Sequence, residues 1–329
     1  MRLLVLGGTE FVGRAFVDEA LSLGHEVSVF NRGTHEPPAG VTALRGDRSA
    51  PGGLAAIERG EWDVVVDTWS WAPSAVRDAA RLLKGRAGHF VYVSTRSVYR
   101  FPTPPGADES APLVEGSADD DIAEEYARVK VGGELAAVAA FGDRALLARA
   151  GLILGPHENI GRLPWWLHRI AKGGPVLAPG PADLGLQYID ARDLALWCLA
   201  AAERGLSGAY NTVSPPAFAT MGELLEACVR ATGSDARLRW VEPDAILAAG
   251  VAPWTDLPIW LPGESHGAMH QGDVSKAVAA GLHCRPVEET VADTWAWLRG
   301  LPGPAPTRAD RPAVGLDPDV EAKLLEQAP

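Results

Sequence analysis

The sequence predicts an α/β protein: a doubly wound parallel sheet with a smaller lobe interleaved in its second half. Short apolar runs alternate with helix-patterned stretches from the first residue onward, and that alternation is the mark of βαβ units. A glycine-rich segment separates the first apolar run from the first helix pattern. After Gly155 the regular alternation gives way to segments crowded with glycine, proline and tryptophan.

The elements follow in order. Arg2–Leu6 is a continuous apolar run ending in glycine, which suits a strand buried on both faces. Phe11–Leu23 has helical spacing and stops at Gly24. Glu26–Phe30, Val64–Asp67 and Phe90–Ser94 read as further strands, each trailed by a helix-like stretch. Ile122–Phe141 reads as a long helix, and the acidic approach Asp119–Asp121 suits the positive end of its dipole. Leu146–Leu154 supplies the next strand, and helices are expected over Asp190–Glu203 and Met221–Thr232. Residues 1–154, joined by returning segments near 187–212, form the sheet domain. The lobe takes 155–186 and 213–300, and 301–329 is a proline-rich tail with a short helix over Asp317–Gln327.

Composition narrows the partners. In 329 residues, 42 acidic side chains face 30 basic ones for a formal charge of −12. That balance argues against a nucleic-acid partner, whose binding depends on neutralising phosphates. Cys198, Cys228 and Cys284 lie far apart without a CxxC, which reads as small buried thiols in a reducing compartment. The N-terminal apolar run is too short for a secretory segment, and no run of about 18 apolar residues occurs. A cytoplasmic protein without a membrane partner is expected.

The segment GGTEFVG, Gly7–Gly13, lies between a strand and a helix, where glycines permit a tight turn and let backbone N–H groups approach a pyrophosphate. In that context it predicts a Rossmann-type dinucleotide loop, with Gly7, Thr9, Phe11, Val12 and Gly13 as the contacting positions. Glu10 replaces the middle glycine of a GxxGxxG pattern, and its carboxylate would repel a pyrophosphate unless it turns outward. The second strand ends at Asn31-Arg32, where an NAD site would carry an acidic residue for the ribose 2′-OH. A neutral residue followed by arginine suits a 2′-phosphate, so NADP is the expected cofactor, with NAD second. Asp47-Arg48 follow the third strand region, where a carboxylate can reach the adenine edge.

Tyr126 and Lys130 form a YxxxK on the long helix. At i and i+4 they share a face, so the ammonium can sit near the phenol and lower its pKa. Such a tyrosine can exchange a proton with a carbonyl or hydroxyl while a nicotinamide exchanges hydride. Chance supplies only about 0.08 such pairs at this composition. The strand Phe90–Ser94 runs into Thr95, whose hydroxyl at the strand's C-terminal end faces the ligand crevice of an open parallel sheet and can bond the reacting oxygen. Tryptophans in loops suggest the wall of an apolar or aromatic substrate pocket: Trp69 and Trp71 first, then Trp165, Trp166 and Trp260, with Trp254 nearby. No cluster of arginines that would clamp a substrate diphosphate is evident beyond Arg149, Arg162, Arg169 and Arg192. His266 and His270 have the i, i+4 spacing of a metal pair, but Pro262, Gly263 and Gly267 argue against a helix. A mobile loop over the active site is expected there, and no metal.

These residues carry a family resemblance. GGTEFVG, Asp47, the VSTRSVY of 93–99, the YxxxK, the LGP turn at Leu154–Pro156 and QYIDARDLA at 187–195 together resemble the extended or atypical short-chain dehydrogenases/reductases, a superfamily that includes nucleotide-sugar epimerases and dehydratases. The resemblance spans roughly residues 1–300. It implies Thr95, Tyr126 and Lys130 as catalytic hydroxyl, acid/base and partner, with Lys130 also holding the nicotinamide ribose. It further implies that Asp67 and Thr68 flank the cofactor, that Leu152 and Ile153 back the nicotinamide, and that helices around 74–84 and 122–141 form a homodimer. The glycine motif also resembles that of chloroplast stem-loop-binding relatives, some of which handle RNA. Glu10 and the aromatic Asp67-Thr68-Trp69 loop depart from the sugar-nucleotide pattern. The resulting expectation is an NADP(H)-preferring oxidoreductase acting on a small, apolar or aromatic carbonyl or hydroxyl substrate. The alternatives are an epimerase or dehydratase that retains NAD, an isomerase or lyase without redox turnover, and a non-catalytic nucleotide- or RNA-binding protein.

Overall fold

A computed structural model describes residues 1–121 and 125–327. The chain divides into two compact units, one of residues 1–151, 191–213 and 273–283, the other of 152–190, 214–272 and 284–329. The return of 273–283 to the first unit was not expected from sequence.

The first unit is an α/β sheet domain of Rossmann type. Its elements are β1 (Arg2–Leu6), α1 (Phe11–Ser22), β2 (Glu26–Asn31), β3 (Thr42–Arg45), β4 (Trp62–Asp67), α2 (Pro73–Leu83), β5 (Ala87–Thr95), α3 (Tyr126–Phe141), β6 (Ala145–Ala150), α4 (Ala191–Glu203) and β7 (Gly208–Thr212). The seven strands are parallel and lie in the order β7-β6-β5-β4-β1-β2-β3. The order reverses at β1/β4, and in open parallel sheets the crevice at such a switch point, outside the strand carboxyl ends, receives the ligand. Leu3, Leu4, Val5, Val65, Val66, Phe90 and Val91 are fully buried, which is why these strands read as unbroken apolar runs. Gly133 brings α3 close to the sheet, since a Cβ there would collide with Tyr92 Oη, and Gly132 brings it close to Pro73 at the start of α2.

Two expected boundaries change. The helix expected to begin at Ile122 begins at Tyr126, and positions 122–124 lie outside the described residues. The strand expected over 146–154 is two strands, because β6 ends before Gly151 and Leu152–Leu154 pairs instead with Tyr188–Asp190 in the second unit.

The second unit packs helices Arg162–Ala171, Met221–Thr232 and Val287–Gly300 around Leu163, Trp166, Leu224, Trp260 and Val291. The tail is part of this core: Leu316 and Leu324 are buried in it, and Glu321 of helix Pro318–Gln327 pairs with Arg169 at 2.6 Å. Glu158 is fully buried beneath helix Arg162–Ala171, accepting the N–H groups of Arg162 at 2.8 Å and Leu163 at 3.2 Å. Burial pushes its carboxyl up to about 7, against the pull of Arg162 and the two backbone bonds. Unfolded, the same carboxyl ionises near 4.5, so between these values only the folded chain holds the proton. The contribution is fully present below the lower value and is lost as pH rises through the upper one, by about 3 kcal/mol. Thermal unfolding between about pH 5 and pH 8 should therefore show wild type losing stability relative to Glu158→Gln; parallel profiles would contradict the assignment.

All three cysteines are free and buried, and burial pushes the Cys198 and Cys228 thiols up. No helix among the described residues is long and apolar enough to cross a membrane.

Candidate functional site

Most of the residues singled out in the sequence lie in the first unit, many of them at or just beyond the C-terminal ends of its strands. At the end of β1, Gly7 and Gly8 adopt φ of 122° and 93°, backbone that side chains resist. A Cβ on Gly7 would lie 2.8 Å from Thr68 Oγ1, and one on Gly13 would lie 2.7 Å from the Gly8 nitrogen. Phe11 opens α1 with φ of 33° and is buried. The loop is therefore a close-packed cradle at a helix N-terminus, of the form a pyrophosphate needs. Glu10, the N-cap residue of α1, makes no side-chain cap bond and turns instead to His35, 2.8 Å away.

At the end of β2 the Asn31 carboxamide oxygen accepts the Gly33 N–H at 2.8 Å, while its buried Nδ2 has no hydrogen-bond partner. An orphaned donor of this kind is uncommon in a folded protein and stands where a Rossmann sheet receives the adenosine ribose. Arg32 is exposed. Asp47 is exposed and accepts the Ser49 N–H at 3.0 Å. These residues fit a dinucleotide.

Arg48 and Asp67 are paired in this structure. They bind each other in a fork, with Nη–Oδ distances of 2.8 and 2.7 Å and side chains 5% and 0% exposed. Arg48 also donates to the Ala75 carbonyl, and the Trp69 N–H donates to Asp67. These bonds tie the loop after β3 to the end of β4 and the start of α2, while Arg48 Nε is buried without a hydrogen-bond partner. Trp69 belongs to the same knot. Its indole stacks on Arg48 at 4.9 Å and donates to the Ala72 carbonyl at 3.0 Å. Thr68 donates to the Leu6 carbonyl at 3.3 Å.

Lys130 is 2% exposed and donates to the carbonyls of Trp69 and Val93, both at 2.7 Å, with its ammonium 4.7 Å over the Tyr92 ring. These carbonyls lie just after β4 and near the end of β5, so the charge is held beside the switch point. Tyr126 begins α3 one turn earlier and is 39% exposed. Tyr92 lies below, and burial first, then the charges of Asp67, Tyr126 and Glu134, push its phenol well above the ordinary tyrosine range. Thr95 closes β5, and its hydroxyl oxygen accepts the Ser97 N–H at 3.1 Å.

Sequence reasoning missed Glu134, which continues the Tyr126–Lys130 face of α3 by one more turn. It accepts Ser94 Oγ at 2.5 Å and a fork from Arg149 at 3.0 and 2.8 Å. Arg149 reaches on to Tyr99 Oη at 3.1 Å, and Tyr99 donates to Asn211 Oδ1 at 2.7 Å. Burial works against the Arg149 charge, but the Glu134 bonds outweigh it and hold the guanidinium protonated. Arg149 is thus a buried cation paired with Glu134.

Other expected residues lie in the second unit. Leu152 is buried and Ile153 half-buried on their short strand. Trp166 and Trp260 are 0% exposed and donate to the carbonyls of Pro258 and Gly180, so they fill core rather than wall a pocket. Trp165 is half-buried edge-on to Trp166, and Arg162 lies 4.8 Å over Trp254. His266 and His270 sit on a helix, Glu264–His270, not in a mobile loop. Gly263 starts that helix instead of preventing it, and the two imidazoles bond the backbone of Gly185 and Gln187 at 2.7 and 3.0 Å. In the first unit, Trp71 follows β4 and is 40% exposed.

The fold agrees with that of similar proteins. Residues 3–212 match the model of the NAD dependent epimerase/dehydratase family, and the chain belongs to that family. It is similar to the isoflavone reductase homolog IRL of Zea mays, 28% identical over 273 residues that span 75% of this chain and 79% of the maize protein. Its fold is that of the UDP-glucose 4-epimerase of Thermus thermophilus, solved with NAD, at a TM-score of 0.61, 22% identity and coverage of 91% of this chain and 99% of that one. The UDP-glucuronic acid 4-epimerase of Bacillus cereus, also solved with NAD, gives 0.65 and 14% with coverage of 91% and 99%.

Proposed function

We propose that the chain is an NADP(H)-preferring oxidoreductase that reduces or oxidises a carbonyl or hydroxyl group of a small apolar or aromatic substrate. The observation that carries it is the seating of Lys130 on the carbonyls of Trp69 and Val93, one helical turn from an accessible Tyr126, in the same unit as the glycine cradle. When bound, the nicotinamide supplies or accepts hydride at its C4. Tyr126 gives or takes the proton at the substrate oxygen. The Lys130 ammonium is a fixed positive charge one turn away, which stabilises charge developing on the phenol oxygen. Thr95 hydrogen-bonds the same substrate oxygen and orients it. Gly7–Gly13 holds the pyrophosphate, and Trp71 offers an exposed indole beside β4 for an apolar substrate. The reductase name of the maize relative supports this direction. Outward side chains Leu135 and Val138 of α3, 48% and 44% exposed, support a homodimer through α2 and α3.

The NADP preference rests on Asn31, which brings no carboxylate to the ribose, and on the exposed Arg32. A guanidinium–phosphate bond contributes about 1.5–3 kcal/mol. Arg32→Ala should therefore weaken NADPH by roughly 10- to 100-fold in a calorimetric titration and leave NADH nearly unchanged. Equal losses for both would remove the 2′-phosphate assignment.

The second reading is an epimerase or dehydratase that keeps NAD, supported by the family match and by the NAD in both solved epimerases. It predicts nucleotide released on denaturing the purified protein, and no net consumption of reduced cofactor.

A further inference from the structure

We propose that His35 is a positioning residue for the cofactor loop: its imidazole holds the Glu10 carboxylate toward the β2–β3 connection and off the positive end of α1, so that a dinucleotide pyrophosphate can bind there. The inference rests on the dinucleotide assignment above.

The difficulty it resolves is local. Glu10 occupies the N-cap of α1, where the free N–H groups of the first turn and the helix dipole attract any nearby anion. A carboxylate so placed competes with a pyrophosphate for those groups and repels it. Yet Glu10 makes no side-chain cap bond, and Oε1 lies 2.8 Å from His35 Nε2. His35 reaches this position because the chain leaves β2 through a fixed turn, in which Asn31 Oδ1 accepts the Gly33 N–H. The same turn presents Arg32, so a single connection carries both the candidate 2′-phosphate contact and the restraint on Glu10. An Nε2–H donates to the carboxylate whether the imidazole is neutral or charged. Both side chains are about half-exposed, at 46% for Glu10 and 58% for His35, so the restraint is a modest one and its loss should be visible in affinity rather than in folding.

The test is a double-mutant cycle on NADPH affinity, measured by calorimetric titration into wild type, His35→Ala, His35→Gln, Glu10→Gln and the double variant Glu10→Gln/His35→Ala. The expected result is about a fivefold loss of affinity in His35→Ala, near wild-type affinity in His35→Gln, and no further loss when His35→Ala is added to Glu10→Gln. A purely structural role for His35 would produce the same loss with and without the Glu10 carboxylate, and that outcome overturns the proposal. So does wild-type affinity in His35→Ala. If folded wild type binds neither NADPH nor NADH, the dinucleotide assignment itself fails and this inference falls with it, a result distinct from either of the other two.

Discussion

Replacing Tyr126 by Phe is expected to lower turnover by about 10²-fold or more while leaving NADPH affinity nearly unchanged. Two tyrosines stand near Lys130, and the structure separates them. Tyr92 is fully buried, its hydroxyl is bound to the Trp69 carbonyl at 3.1 Å, and its phenol is held well above the ordinary range by burial. A phenol so placed keeps its proton. Tyr126 is accessible at the start of α3 and can meet a substrate oxygen. Loss of the hydroxyl is expected to remove only the proton transfer, because Lys130 is kept and the proposed pyrophosphate cradle, Gly7–Gly13, lies at the start of α1. The measurement is kcat and the NADPH dissociation constant for the two proteins on a common carbonyl substrate. Unchanged kcat would remove Tyr126 as the acid/base, and equal losses in kcat and cofactor affinity would make it a binding residue.

Removing Glu134 is the largest expected effect on stability. Glu134 and Arg149 each have side chains 5% exposed, and Glu134→Ala leaves the guanidinium buried without its carboxylate. Breaking one side of a buried pair typically costs about 3–5 kcal/mol, whereas replacing both partners by apolar residues of similar volume is often near neutral. The denaturation midpoint of Glu134→Ala should fall sharply, and Glu134→Met/Arg149→Met should recover most of the loss. A change below about 0.5 kcal/mol in the single variant, the size of a surface substitution, would mean the pair is not desolvated.

The sheet was legible because a strand buried on both faces must be apolar throughout, and Arg2–Leu6 and Phe90–Ser94 announce themselves that way. The YxxxK and the glycine loop were legible because their chemistry depends on short spacings. What sequence could not supply is pairing between distant residues. That Arg48 and Asp67 close on each other shows only when β4 is laid beside the loop after β3. Glu134 looks like a solvent-facing helix residue until β6 brings Arg149 to it. In the second unit, strands such as Gly185–Leu186 and Tyr188–Asp190 are too short to show a period, and the glycine that seemed to forbid a helix before His266 begins one. The tail resembles a linker because its anchors, Glu321 and Leu324, find their partners only in the folded unit.

The proposed function requires that a nicotinamide dinucleotide bind the Gly7–Gly13 cradle with preference for the 2′-phosphate. Calorimetric titration of NADPH and of NADH into purified protein, after mass spectrometry for retained nucleotide, tests it most directly. The expected result is an empty site that takes up one NADPH per chain, more tightly than NADH. Folded protein that binds neither dinucleotide and carries none would contradict it, and would mean that Glu10 closes the cradle.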